Sequence, residues 1–279
     1  MKRAFAIFAL AWLILLIGCA APLGLSQNSG KSTDRLAAVL TRQELRVGLS
    51  GAQPPLNMKN RAGELIGLEV DLAEALAHSM NLKLRFVEKP FAELLDALEA
   101  DEVDLVISGV SITPERNARV AFAGPYMVSG KSLLTLSEEI ANASDVALLN
   151  NPTRRFAALE GSTSHALVED AFPQAKLVST VDYDTAIEMV KQGEVDALIA
   201  DFPICALSVV RYPDAGLRTL GTPFTIEPLG VALPADAPLF VNLVENYINT
   251  LESTGTLVQL KARWFSPGPS IHLKSPTWN

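Results

Sequence analysis

Cysteine is scarce in this chain: Cys19 and Cys205 are its two cysteines in 279 residues. There is no CxxC pair, and no His/Cys cluster has the spacing of a metal site. His78, His165 and His272 lie at spacings that suggest no Cys/His catalytic pair with Cys205. Basic residues never run beyond a dipeptide and the formal net charge is -8, so the electrostatic footprint of a nucleic-acid binder is absent. Aromatics make up 6% of the chain, Gly and Pro number 17 each, and 49% of residues are hydrophobic against 19% charged. That composition excludes collagen, coiled coil and disorder and describes an ordinary globular protein. Apolar runs are also short. The longest, Ala4 to Ile17, has fourteen residues, fewer than the about 20 a helix needs to span a bilayer.

That run explains part of a mean hydropathy of +0.24. It follows Lys2-Arg3 and ends in Gly18-Cys19-Ala20-Ala21, so a positive segment, a short apolar core and small residues follow one another as in a secretory signal. Leu16-Ile17-Gly18-Cys19 resembles a bacterial lipobox, in which the Cys is diacylated and becomes the mature N-terminus. Residues 1–18 are therefore expected to be a lipoprotein signal peptide, with Cys19 anchoring the chain at the periplasmic or extracellular face of the cell envelope. Residues 19–40 are rich in Ser, Gly, Asn and Gln near their start and read as a tether. Residues 267–279, with Pro267, Pro269 and Pro276, read as an irregular tail. With Cys19 engaged, Cys205 has no partner for an intramolecular disulfide and reads as a small buried apolar side chain.

Between these ends the chain alternates. Leu45-Leu49 is a strand-like run closed by Gly51 and Pro54-Pro55. In Gly67-Leu-Glu-Val-Asp-Leu-Ala-Glu-Ala-Leu-Ala, residues Leu68, Leu72, Ala75 and Leu76 share a helical face. Glu69, Asp71 and Glu74 fall early in that helix, where its dipole favours them. A strand over Leu82-Val87, a helix over Phe91-Leu98 and a strand over Val103-Ile107 complete a βαβαβ unit, the mark of a mostly parallel sheet with helices on its faces. The second half repeats the order: strand Phe156-Leu159, helix Ser164-Ala171, strand Lys176-Val178, helix Asp184-Lys191, strand Ala197-Ala200. One piece of the echo is literal. Glu102-Val103-Asp104-Leu-Val-Ile returns 92 residues later as Glu194-Val195-Asp196-Ala-Leu-Ile.

Ligands bind such sheets beyond the carboxyl ends of the strands. The first echo leads into Ser108-Gly109-Val110-Ser111-Ile112-Thr113-Pro114-Glu115-Arg116, which offers hydroxyls, a glycine and a guanidinium able to grip a carboxylate. Thr113-Pro114 equally describes a helix N-cap, with Arg116 on the surface. Gly161-Ser162-Thr163 opens a helix after a strand and could form an anion site or an ordinary cap. Asp201 stands at the second strand end, either to receive an ammonium group or to cap the helix near Pro203. Taken together, these residues have the chemistry of a zwitterion receptor.

The Gly67 stretch resembles the signature of the bacterial extracellular solute-binding proteins of family 3, the polar amino-acid receptors of ABC importers. Ser108 to Arg116 resembles their ligand loop and Leu229-Gly-Val-Ala-Leu their return strand, and the similarity runs from about Leu45 to Phe265. The resemblance implies an α/β type II periplasmic-binding-protein fold: two α/β lobes, 41–130 plus 225–266 and 131–224, joined by two hinge strands near Ser129-Leu133 and Thr222-Gly230. It implies that Arg116, Ser111 and Thr163 hold a ligand carboxylate, that Asp201 holds its ammonium with Ser108 or the Gly109 backbone assisting, and that Phe91 packs on its side chain. On its own, Phe91 reads as a core residue. The family's Tyr-x-Pro-Phe is here Gln53-Pro54-Pro55-Leu56, so an aromatic wall is missing and Gln53 could read a polar side chain. Ser50 stands where receptors for basic amino acids tend to carry Asp, which argues against basic ligands because an unpaired buried charge is costly.

The expected partners are a small-molecule ligand, an ABC permease and, through the lipid anchor, a membrane. The protein is expected to be a monomer with no cofactor, no metal, no nucleic-acid partner and no enzymatic activity. Two rival readings share the scaffold. One is a cyclohexadienyl (arogenate/prephenate) dehydratase with Asp201 or Glu227 as its acid, and the other a sensor for a separate signalling partner. A murein lytic enzyme would need a catalytic domain that this sequence lacks.

Overall fold

The computed structural model describes residues 35–143 and 149–265. The signal peptide, Cys19, most of the expected tether and the tail lie outside them. In chain order the elements are α1 (Arg35–Arg42), β1 (Glu44–Leu49), β2 (Ala52–Gln53), β3 (Asn57–Lys59), β4 (Leu65–Ile66), α2 (Leu68–Ser79), β5 (Lys83–Glu88), α3 (Leu94–Glu99), β6 (Leu105–Val106), α4 (Pro114–Asn117), β7 (Ala121–Ser129) and β8 (Lys131–Thr135). There follow α5 (Glu138–Ala141), β9 (Arg155–Leu159), α6 (Thr163–Ala171), β10 (Lys176–Thr180), α7 (Tyr183–Lys191), β11 (Ala197–Asp201), α8 (Phe202–Arg211), β12 (Arg218–Thr219), β13 (Glu227–Leu233), α9 (Pro238–Ser253) and α10 (Thr256–Phe265). Among the described residues no helix is long and apolar enough to cross a membrane.

Two five-stranded sheets carry the fold, in the orders β5-β1-β6-β13-β7 and β10-β9-β11-β8-β12. In each, the first three strands are parallel and the fourth runs antiparallel to the third. The α/β class expected from the alternation is what forms. The chain passes from the first sheet to the second at Gly130, between β7 and β8, and returns between β12 and β13. The two passages are bonded to each other: Lys131 N donates to Thr225 Oγ1 at 2.7 Å, and Phe224 N to Lys131 O at 2.8 Å. A small antiparallel sheet, β2-β3-β4, was not anticipated, because its strands are too short to show a period of two.

The literal echo marks the same joint in both sheets. Asp104 N donates to Arg46 O while its carboxylate accepts from Arg46 N at 2.7 Å. Asp196 N likewise donates to Arg155 O and its carboxylate accepts from Arg155 N at 2.7 Å. Val103 and Val195, between each Glu and Asp, are buried. Each Asp thus ties the entry of a central strand to its neighbour. Asp104 also holds the Arg46 guanidinium at 2.8 Å and has a side chain 6% exposed, against 26% for Asp196. Asp104→Ala is therefore expected to cost about 2 kcal/mol and Asp196→Ala about half that, to be compared by thermal denaturation.

Helix α1 corrects the expected tether 19–40, whose last residues are helical and packed through buried Val39. A second refinement concerns α2. Its early acidic residues are not merely dipole-compensating surface charges, for Glu69 and Asp71 are buried. Asp71 accepts from Trp264 Nε1 at 2.8 Å and from Arg263 at 3.1 Å, binding α10 to α2. Glu69 accepts from Gly109 N at 2.6 Å and from Tyr126 Oη and Asn57 Nδ2. Burial pushes the Glu69 carboxyl above its ordinary value, and these three bonds oppose that rise.

Candidate functional site

The first strand end is shaped by the Glu69 network. Gly109 has a φ of +60°, which favours glycine, and a Cβ there would lie 2.4 Å from Gln53 Oε1, so a side chain at this position would push the Gln53 amide away from the loop after β6. Ser108 is buried, and its Oγ accepts from Ser50 N at 3.0 Å and from Gln53 Nε2 at 3.2 Å. Gln53 Nε2 also donates to Ser108 O at 3.0 Å. Ser108, Gly109 and Gln53 thus sit together, with the hydroxyl and the amide engaged in building the loop.

Beyond them the chain reaches across to the second sheet. Thr113 Oγ1 caps α4 by accepting from Arg116 N at 3.2 Å, and Pro114 opens that helix. The cap and the cleft residue coexist. Arg116 Nη1 donates to Ser111 O and Nη2 to Gly161 O, each at 3.0 Å, so one guanidinium spans the two sheets. Its Cζ lies 5.7 Å from the centroid of the buried Phe91 ring, within cation–π range. Burial pulls the Arg116 pKa down, opposed by the charges of Glu227 and Asp201. Gly161, at φ +71°, rests against Ala92; an added Cβ would fall 2.9 Å from its Cα. The two halves of the cleft therefore meet backbone to backbone.

Ser162 caps α6 by accepting from His165 N. Thr163 Oγ1, one residue on, donates to Glu227 Oε2 at 2.7 Å, and Ser111 Oγ donates to the same oxygen at 2.6 Å. Lys131 Nζ lies 3.1 Å from it. Burial disfavours the Glu227 charge, but Lys131 and the two hydroxyls outweigh it and hold this carboxyl below its usual value. Asp201 makes no side-chain cap to α8. Its carboxylate accepts instead from Lys131 Nζ at 2.7 Å, and both side chains are under 5% exposed.

Arg116, Ser111, Thr163, Asp201 and Phe91 are thus gathered in one region. Sequence reasoning missed Lys131 and named Glu227 only as an acid for the dehydratase reading. Lys131 opens β8 with no local spacing that marks it; only the β8–β11 register, Lys131 opposite Asp201, discloses its place. Tyr183 was missed as well. It is buried, and its hydroxyl pKa is raised by burial and by the nearby Asp201 and Glu227 charges. A cleft of about 500 Å³ opens on the outer side of this group, between Phe91, Arg116, Gly161, Thr163 and His165. Lys131, Asp201 and Glu227 do not line it. Cys205 lies on the buried face of α8, where burial pushes its thiol pKa up and removes it from thiolate chemistry. Among the described residues no group of three or more His, Cys, Asp or Glu could hold a metal.

Comparison with known proteins agrees with this architecture. The family of bacterial extracellular solute-binding proteins, family 3, matches residues 45–267. The ABC transporter arginine-binding protein 1 of Escherichia coli is 25% identical over 80% of this chain and 91% of its own. The cyclohexadienyl dehydratase of Pseudomonas aeruginosa is 26% identical over 94% of this chain and 97% of its own. Among solved structures, an ancestral amino-acid-binding protein, a precursor of cyclohexadienyl dehydratase, superimposes with a TM-score of 0.76 and 30% identity, covering 83% of this chain and 99% of that one. Strand order, crossing passages and cleft accord with the type II fold of periplasmic binding proteins.

Proposed function

Because the chain belongs to the bacterial extracellular solute-binding proteins of family 3, we propose that it captures an amino acid or related small carboxylate outside the cytoplasm and delivers it to the permease of an ABC importer. In this reading the lobes 41–130 plus 225–266 and 131–224 close about the crossing passages at 129–133 and 222–230. The observation that carries it is the convergence of Ser111, from the loop after β6, and Thr163, at the start of α6, on one oxygen of Glu227 beside an arginine bonded to both halves. Only a closed cleft assembles that grip. Exclusion of water on closure strengthens each of these bonds. The protein acts as a monomer held at the membrane by a lipid on Cys19, with the ligand side chain lying along Phe91 in the outer cleft.

A panel of the twenty amino acids and simple carboxylates, read by thermal shift, tests the reading. A ligand that binds the native state at 100 times its Kd stabilises it by about 2.7 kcal/mol, roughly 5–11 °C for a domain of this size. No shift from any member would remove the proposal. The dehydratase relative raises a second reading, with Glu227 as general acid. A general acid at neutral pH needs a raised pKa, whereas Lys131 and two hydroxyls hold Glu227 low. Incubation with prephenate or arogenate is therefore expected to yield no aromatic product.

A further inference from the structure

The two poles of the expected zwitterion receptor are already occupied by the chain's own groups. Where a ligand ammonium would meet Asp201, Lys131 Nζ stands 2.7 Å away. Where a ligand carboxylate would meet Ser111 and Thr163, Glu227 Oε2 takes both hydroxyls at 2.6 and 2.7 Å. The two occupants are not equivalent. Lys131 is 2% exposed and faces Asp201 directly across the β8–β11 pair, so the backbone register holds the two together and no solvent is at hand to receive a displaced ammonium. Glu227 is 15% exposed, begins β13, and follows Ile226, which is 83% exposed. Glu227 can leave toward solvent, whereas Lys131 is fixed.

Charge counting points the same way. With Glu227 withdrawn, the buried or half-buried charges Lys131, Arg116 and Asp201 leave one net positive charge around the vacated oxygen site, while Glu115, which also acts on Arg116, is exposed to solvent. A ligand with a single carboxylate neutralises it. An α-amino acid head group, carrying no net charge, leaves it unbalanced, and its ammonium must either compete with Lys131 for Asp201 or lie beside two cations. We propose that Lys131 is a specificity-determining residue that makes the buried site it forms with Asp201, Ser111 and Thr163, on the inner side of the cleft, select small carboxylates lacking an α-ammonium group, namely 2-hydroxy and 2-oxo acids, over the corresponding α-amino acids. Lys131 itself, with Ser111, Thr163 and Arg116, receives the ligand carboxylate in place of Glu227. This rests on the reading of the cleft as a ligand site and names the ligand class within it.

Calorimetry on the full chain with matched trios tests it: alanine, lactate and pyruvate; glutamate, 2-hydroxyglutarate and 2-oxoglutarate; phenylalanine, phenyllactate and phenylpyruvate. In at least one trio the hydroxy or oxo acid is expected to bind about tenfold or more tightly than the amino acid. Lys131→Met, which empties the place opposite Asp201, is expected to reverse that order. Glu227→Gln weakens the internal competitor while keeping the side-chain shape, and is expected to tighten hydroxy- or oxo-acid binding severalfold; it serves if Lys131→Met does not fold. Tighter binding of the amino acid throughout, or Glu227→Gln weakening the preferred acid, overturns the proposal and leaves the ligand-site reading standing. No binding by any member of any trio also overturns the proposal, and the ligand-site reading falls with it only if the full panel of amino acids and carboxylates gives no thermal shift either.

Discussion

Arg116→Ala is expected to lower affinity for the tightest-binding carboxylate of the panel by about 100- to 1,000-fold in calorimetry, while thermal denaturation without ligand changes little. The guanidinium is largely buried at the single turn of α4, and the cost of that burial offsets its bonds to two carbonyls, so its own contribution to stability is small. Two of its five N–H donors are held by Ser111 O and Gly161 O, fixing its plane across the cleft. Two charge-assisted bonds to a ligand carboxylate contribute about 3–4 kcal/mol together, which is that range of affinity. The substitution also removes the single side chain seen to bridge Ser111 and Gly161, so closure weakens with the grip. Arg116→Lys keeps the charge but not the planar fork and is expected to restore less than tenfold. Affinity within threefold of the parent in Arg116→Ala would place the carboxylate elsewhere.

Local order was largely legible in the sequence. The period of α2, the strand at β1 and the repeated Glu-Val-Asp joint each depend on residues close in the chain. Ser111, Thr163 and Arg116, singled out through a resemblance to a known ligand loop, do come together. What stayed hidden arises between distant strands. Lys131 meets Asp201 across 70 positions and Glu227 across 96, and neither pairing leaves a local spacing to read. The roles of Glu69 and Asp71 were hidden for a different reason. A helix dipole accounts for acidic residues in a first turn whether they are solvated or buried, so their tertiary partners Tyr126, Asn57 and Trp264 could not be inferred from it.

Glu69→Ala is expected to be the most destabilising single change near the site, by about 4 kcal/mol, or roughly 10 °C in Tm for a domain of this size. The side chain is fully buried and is the acceptor for Gly109 N, Tyr126 Oη and Asn57 Nδ2. Removing it strands all three donors and frees the loop that carries Ser111, so ligand affinity should fall along with Tm. Glu69→Gln separates shape from charge. Its amide oxygen can still accept from Gly109 and Tyr126, but its NH2 then faces the Asn57 NH2, because Asn57 Oδ1 is already accepting from Gly51 N at 2.7 Å. That donor–donor encounter leaves Glu69→Gln less stable than the parent, though more stable than Glu69→Ala. Burial raises the folded-state pKa of Glu69 above the ordinary 4.5, with the Asp201 charge adding to the rise. A raised acid contributes its full stability below the unfolded pKa and loses it as pH climbs through the folded one. The stability difference between parent and Glu69→Gln should therefore be largest in acid and narrow as pH rises past 4.5. Denaturant titrations of both proteins across that range measure the difference directly. A gap that widens with pH would mean that the three donors outweigh burial and hold Glu69 ionised, making it a fixed negative charge behind the cleft.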